Sequence, residues 1–70
     1  MDCKQCRAAR GLLNWTIEIL SEKSGVSEKS IGNFERGKRK LMPQNLSALV
    51  RAFEQAGIEF INGGIKEFSS

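Results

Sequence analysis

The sequence contains no histidine, only two cysteines and a single proline among its 70 residues. It has no constellation of nucleophile and base and no cluster of metal ligands. The sequence therefore does not predict an enzyme, a cofactor, a metal site or a small-molecule substrate. No apolar run approaches the length of a membrane span or of a signal-peptide core. We therefore expect a cytoplasmic protein that does not bind membranes.

The two cysteines, Cys3 and Cys6, have the Cys-x-x-Cys spacing of a redox motif or of half a zinc site. Structural zinc takes about four ligands, and a redox pair is expected within a βαβ unit. Because the sequence offers neither context, we interpret Cys6 as a small core residue. Cys3, one turn earlier, is expected near the surface.

The length of the chain predicts one small domain with a thin core. A protein of this size buries only about 60% of the surface that its unfolded chain exposes. We therefore expect a dimer partner or very regular helix packing to help stabilise the fold.

Positive charge is concentrated in the middle of the chain. Residues 28–51 carry a net charge of +4, whereas residues 52–70 sum to −2 and the whole chain to +3. A segment of this kind predicts a polyanionic partner.

Apolar residues recur at helical spacing in four segments. The first helix is expected over residues 3–13, where Asp2 and Gln5 have the spacing of a capping box. A second helix is expected to begin after the cap residue Thr16 and to end at Gly25, which can adopt a left-handed conformation.

The third and fourth helices carry equally clear start and stop signals. Ser27 is expected to cap the third helix by accepting from the amide of the second or third residue after it, and Gly37 is expected to end this helix. Pro43 suits the first turn of the fourth helix, which should continue to Gly57.

The end of the chain changes to a period of two around Asn62-Gly63, a strong hairpin signal. With these two residues as the loop, Phe60 pairs with Ile65 and Glu59 with Lys66. An isolated two-stranded hairpin is marginal in water, so it should pack on the helices or pair with a second subunit. The predicted fold is thus all-α with a short C-terminal β-hairpin.

The second and third helices are joined by a tight turn. Ser21 is small enough to let the two helices cross closely, Gly25 lets the chain reverse, and Val26 is an apolar anchor. This layout is typical of a DNA-binding helix-turn-helix, whose second helix lies in the major groove.

The stretches RAARGLLNWT, LSEKSGVSEKSI and FERGKRK resemble, in order and spacing, the Xre-like helix-turn-helix domains of phage repressors and Cro proteins. The resemblance covers about residues 5–57. It rests most on Gly25, Val26, Ser27, Ile31, Glu35, Arg36 and Gly37. It implies a compact repressor-like bundle of four to five helices that binds double-stranded DNA as a homodimer.

The resemblance also implies which residues face the major groove: Ser27, Glu28, Lys29, Ser30 and Asn33. Their chemistry suits base edges, since Lys29 can donate to guanine, Asn33 can pair with adenine and Glu28 can accept from cytosine. The alternative is that they are ordinary solvated residues of an amphipathic helix.

A second set of residues is implied to contact DNA phosphates: Thr16, Arg36, Lys38, Arg39 and Lys40. The last three form a cationic run directly after the third helix, where it would hold the helix end against the backbone. Gly32, unfavourable within a helix, is explained either by a close approach to DNA or as a tolerated weak point.

Two further positions follow from the resemblance. Arg10 and Glu35 match a pair that forms a salt bridge between the first and third helices in similar proteins, the alternative being two unrelated surface charges. Ile17 stands where the family commonly has glutamine, so one DNA contact is in doubt. Thr16 and the free amides beside it can still bind a phosphate.

The sequence therefore predicts a DNA-binding domain over residues 1–57 and a hairpin over residues 58–70, the latter a candidate dimerisation element. The expected function is a sequence-specific transcriptional regulator, in particular a repressor, that inserts the helix from about Ser27 to Arg36 into the major groove. The alternative is a protein-interaction module on the same fold, in which an exposed Ile17, an exposed Ile19 and the hairpin bind a polypeptide.

Overall fold

The computed structural model describes residues 1–62 and 64–67. Within them the element order is α1 (Cys3–Leu13), α2 (Ile17–Ser24), α3 (Glu28–Glu35), α4 (Pro43–Gln55), β1 (Ile58–Ile61) and β2 (Gly64–Glu67). The described part of the chain thus contains the predicted helical bundle, with four helices, and the predicted C-terminal hairpin. In that same part, no helix is both long and apolar enough to cross a membrane.

Local hydrogen bonds explain where the helices begin. The Asp2 side chain accepts from the Gln5 amide at 2.8 Å, and the Gln5 side chain accepts from the Asp2 amide at 2.9 Å. The predicted capping box of α1 is thus confirmed. Thr16 caps α2 by accepting from the amide of Ile19 at 3.1 Å, and Pro43 occupies the first turn of α4.

The ends of the helices depend on left-handed residues. Asn14 after α1 and Gly25 after α2 have φ angles of 57° and 80°. Helix α3 ends at Glu35, one residue before the predicted end at Arg36. Arg36 follows as the cap residue and keeps a right-handed conformation. Gly37 follows with a φ of 73° and turns the chain away from the helix axis.

The core lies where the four helices and β1 meet. Its buried residues are Cys6, Ala9, Leu20, Val26, Ile31, Leu49, Ala52, Phe53 and Ile58. Trp15 stacks on Phe53 with ring centroids 5.7 Å apart, and Phe60 meets the same ring edge-on at 5.6 Å. The assignment of Cys6 to the core is confirmed, and Cys3 is half-buried.

One prediction about apolar side chains needs correction. Ile17 and Ile19 were expected to be exposed, but both are half-buried. Ile17 packs against the core at the start of α2.

The hairpin has the predicted register. Phe60 pairs with Ile65 and Glu59 with Lys66, and Gly63, the second residue of the predicted loop, lies outside the described residues. The strands pack on the helices through Ile58, which is fully buried. The prediction that the hairpin rests on the helices is therefore confirmed.

The Gln5 side chain adds a connection that the sequence did not reveal. Its Nε2 donates to the carbonyl oxygens of Ile61 at 2.9 Å and Gly64 at 2.7 Å. These carbonyls flank the hairpin loop, so one amide group joins the start of α1 to the hairpin.

Candidate nucleic-acid interface

The turn between α2 and α3 is fixed by local hydrogen bonds. The amide of Gly25 donates to the carbonyl oxygen of Ser21 at 2.8 Å. The hydroxyl of Ser24 accepts from the amide of Val26 at 3.1 Å. Because the Val26 side chain is buried, the turn is anchored in the core. The turn that precedes α3 is therefore fixed to the core.

The start of α3 has its hydroxyl groups already arranged. Ser27 accepts from the amide of Ser30 at 3.2 Å, as predicted for a cap, and its hydroxyl donates to the Ser30 hydroxyl at 2.9 Å. The two hydroxyl groups are therefore held together at the start of the helix. Glu28 and Lys29, the next two residues, are exposed.

The predicted DNA-contacting side chains differ in exposure. Ser30 and Asn33 are half-buried. The other predicted residues are exposed: Thr16, Ser27, Glu28, Lys29, Arg36, Lys38, Arg39 and Lys40. Apart from Thr16, which caps α2, they lie at the cap of α3, on α3 itself or in the loop after it. The structure therefore brings most of the predicted site into one continuous segment.

Three cations follow α3 in what we call the basic loop, Lys38–Lys40. After the turn at Gly37, the backbone amides of Lys38 and Arg39 donate to the carbonyl oxygen of Asn33 at 2.9 and 3.4 Å. The loop is thus tied to the last turn of the helix. Cations at this position also interact favourably with the helix dipole.

A cleft of about 320 Å³ separates α3 from the chain that leads into α4. Polar and cationic side chains line it from both sides: Lys29, Ser30, Asn33, Arg39, Lys40 and Asn45. Hydrogen-bond donors therefore converge on one concave surface, as is required to bind an anionic or acceptor-rich ligand.

Arg36 does not extend away from α3. Its Nη2 donates to the Asn33 side-chain oxygen at 2.9 Å. A Cβ added at Gly32 would lie 3.3 Å from Nη1 of the same guanidinium. A signal for this contact exists in the sequence, since Gly32 precedes Arg36 by four residues and shares its helix face.

Behind the interface, Glu35 is held by α1. The Arg10 guanidinium donates to both carboxylate oxygens, at 2.8 Å from Nε and 2.6 Å from Nη2. Its Nη1 donates to the Trp15 carbonyl oxygen at 3.0 Å. The two residues therefore form a bidentate ion pair between α1 and α3.

The sequence did not indicate that the Cys6 thiol also donates to Glu35, at 3.2 Å. Burial tends to raise the pKa of the Glu35 carboxyl, but hydrogen bonds from Arg10 and Cys6 outweigh it, so the pKa lies below its usual value. Burial, followed by the hydrogen bond to Glu35, raises the pKa of the Cys6 thiol. Cys6 is therefore a neutral donor that completes the carboxylate's partners.

This geometry agrees with the family comparison. The helix-turn-helix family matches residues 7–59, which include all four helices in whole or in part. The chain therefore belongs to the helix-turn-helix family of the Xre and Cro type. That family consists of DNA-binding regulators and not of enzymes. No curated protein matches the chain.

Proposed function

We propose that this protein is a sequence-specific regulator of transcription that inserts α3 into the major groove of double-stranded DNA and acts as a repressor. The observation that carries the proposal is the basic loop, tied by two backbone hydrogen bonds to Asn33 at the end of α3. A rod of helical backbone with cations fixed at its end suits a groove bordered by phosphates.

The residues have two kinds of role in this proposal. Ser27, Glu28, Lys29, Ser30 and Asn33 contact bases. Thr16, Arg36, Lys38, Arg39 and Lys40 contact phosphates. Phosphate contacts set the position of the protein on the duplex, and base contacts select the sequence. The position of Thr16 at the start of α2 supports its role, because unpaired amides at a helix start attract phosphate.

The test is the salt dependence of binding, measured by fluorescence anisotropy with labelled duplexes. Each phosphate contact contributes about −0.9 to the slope of log K against log salt. A double variant, Lys38→Ala with Arg39→Ala, should weaken binding to every sequence and make this slope shallower by about 2.

The matched control is Lys4→Ala with Arg51→Ala, which removes the same charge from exposed positions on α1 and α4. It should leave the slope nearly unchanged, since these residues lie outside the proposed interface. Equal losses from both double variants would show that general attraction, and not a bound α3, holds the DNA.

We further propose that the protein binds DNA as a homodimer, with the two copies of α3 about 34 Å apart, one turn of DNA. Ile61 at the end of β1 is 45% exposed and supports a contact through the hairpin. Ile61→Lys should convert a dimer to a monomer in analytical ultracentrifugation. An unchanged dimer would exclude the hairpin as the interface.

The alternative function is a protein-interaction module. Because Ile17 and Ile19 are half-buried, they offer less apolar surface to a partner protein than this alternative requires. Ile61 is exposed and could still contact a partner. Absence of binding to any duplex at low salt would favour this alternative.

A further inference from the structure

The base selected by Asn33 depends on how its side-chain amide is oriented. An asparagine pairs with adenine through two groups, since its oxygen accepts from N6 and its nitrogen donates to N7. Both groups must face the base together. The surroundings of Asn33 therefore decide whether this contact is available.

Arg36 fixes that orientation. A guanidinium group has only donors, so the atom of Asn33 that lies 2.9 Å from Nη2 must be the side-chain oxygen. The amide nitrogen consequently points away from Arg36. In this arrangement Arg36 occupies one of the two acceptor sites of the oxygen required for the adenine contact. The positive charge beside this oxygen weakens it as an acceptor for the adenine N6 group.

Gly32 explains how the guanidinium reaches this position. A Cβ at residue 32 would lie 3.3, 3.7 and 3.8 Å from Nη1, Nη2 and Cζ of Arg36. Since three atoms of the group lie within 4 Å of this position, the guanidinium occupies the space that a side chain at residue 32 would enter. A side chain at Gly32 would press on it. Space for the Arg36 guanidinium is therefore a third explanation for glycine at position 32, beside a close approach to DNA and a tolerated weak point.

Beside Asn33 the free donors are its own amide nitrogen and the exposed ammonium of Lys29 one turn earlier. The acceptor Glu28 lies one residue further towards the start of the helix. Guanine presents two acceptors, O6 and N7, in the major groove, whereas adenine presents one acceptor and one donor. The donors around Asn33, beside the Arg36 charge, therefore match guanine better than adenine.

We propose that Arg36 is a positioning residue that holds Asn33 as a donor and so directs this face of α3 to guanine instead of adenine. The inference rests on the proposed function, because it concerns which base the inserted helix selects. It adds to the proposed phosphate contact of Arg36 a role that Arg36 exerts through Asn33.

The experiment begins with selection of bound sequences from a random DNA pool by the wild-type protein and by Arg36→Met. The base pair that Asn33 contacts is identified as the one where Asn33→Ala loses its preference. At this base pair the wild type should select guanine. Arg36→Met frees the Asn33 oxygen, so the ratio of affinities for guanine and adenine should shift about tenfold towards adenine.

Arg39→Met is the matched control, because it makes the same substitution and loses the same charge in the basic loop, outside α3. It should reduce affinity for all duplexes without changing the preferred base. If Arg36→Met and Arg39→Met reduce affinity alike and leave the preference unchanged, the proposed role of Arg36 is wrong. DNA binding itself would still stand.

A second comparison separates positioning from direct reading. If Arg36 acts through Asn33, adding Arg36→Met to Asn33→Ala should cause no further change in base preference. A further change would mean that Arg36 reads the base itself and would overturn the proposal. Circular dichroism checks that each variant is folded. A folded wild type that binds no duplex even at low salt would instead disprove the proposed function.

Discussion

At the scale of single residues, Glu35 is the charged group most dependent on its neighbours. It is 5% exposed, and its carboxylate accepts from Arg10 twice and from Cys6 once. Within the described residues, no buried side-chain nitrogen or oxygen lacks a hydrogen-bond partner. A change that removes a donor here leaves a buried charge unpaired, which is among the most destabilising events in a protein interior.

We predict that Arg10→Met destabilises the protein by about 3 kcal/mol at pH 7, because Glu35 then remains buried without its ion-pair partner. In the wild type the pKa of Glu35 is lowered on folding. Its contribution is therefore present above the unfolded pKa and lost as the pH falls through the folded value. Urea unfolding at a series of pH values measures both effects.

In the Arg10 variant the sign should reverse. Burial without Arg10 raises the pKa of Glu35 on folding, so the variant should regain stability relative to wild type as the pH falls to about 4. Arg51→Met, which removes an exposed arginine of α4, is the control. A loss from Arg10→Met that is the same at every pH would mean that side-chain packing, not charge, is responsible.

At Gly32 we predict that alanine increases the free energy of unfolding by about 0.5 kcal/mol. Glycine is unfavourable in a helix interior, and the new Cβ meets only the end of a flexible arginine side chain. Gly11→Ala in α1 is the control, because a Cβ there would meet nothing within 4 Å. Thermal unfolding of both variants measures the difference, which reports the cost of displacing Arg36. A destabilised Gly32 variant would show that Arg36 cannot shift.

At the scale of elements, the join between α1 and the hairpin depends on Gln5. Its oxygen completes the cap of α1, and its nitrogen donates to two carbonyl oxygens beside the hairpin loop. The two ends of the amide group thus serve different elements.

We predict that Gln5→Glu separates these functions. A carboxylate retains the acceptor needed by the Asp2 amide, but it loses the donor and places negative charge against the carbonyls of Ile61 and Gly64. Amides of β1 and β2 should exchange with deuterium at least severalfold faster, while those of α1 keep their protection. Equal acceleration in both would mean that the cap, not the hairpin contact, was lost.

Sequence signals were sufficient for the elements because they act locally. Asp2, Thr16 and Ser27 each cap a helix through an amide within three residues. Gly25 has the left-handed conformation that its position predicted, and the Asn62-Gly63 signal gave the correct strand pairing. None of these features requires knowledge of distant parts of the chain.

The features that the sequence did not reveal depend on tertiary position or on side-chain conformation. The Gln5 contacts join residues 56 and 59 positions apart. Cys6 donates to a carboxylate 29 positions away. The folding of Arg36 onto Asn33 is a choice of rotamer that spacing allows but does not require. The family resemblance anticipated the ion pair between Arg10 and Glu35, since residue types alone did not distinguish it from two surface charges.

At the scale of the whole molecule, the hairpin belongs to the same core as the helices. Ile58 is fully buried, and the Phe60 ring contacts Phe53 at the centre of the bundle. A division of the chain at residue 57 therefore follows a change of secondary structure but cuts through a shared interior.

We predict that a chain ending at Gly57 is less stable than the full chain by about 3 kcal/mol, since the core then loses Ile58 and the Phe60 ring that meets Phe53. For a protein of this size such a loss is a large fraction of the total. Urea unfolding should show this for the truncated chain. Leu12→Ala, which shortens an exposed side chain of α1 outside the hairpin, is the control and should change stability little. A truncated chain as stable as the full one would show that the hairpin is an appendage.

The stack of Trp15 on Phe53 allows this part of the core to be followed by intrinsic tryptophan fluorescence. Trp15 is the single tryptophan of the chain; its ring lies under the Lys23 ammonium at 5.2 Å, and its carbonyl is held by Arg10. All intrinsic indole emission thus comes from the place where the connection between α1 and α2 packs on α4. A red shift of this emission would signal that Trp15 has separated from Phe53, without any label attached near the groove-facing helix.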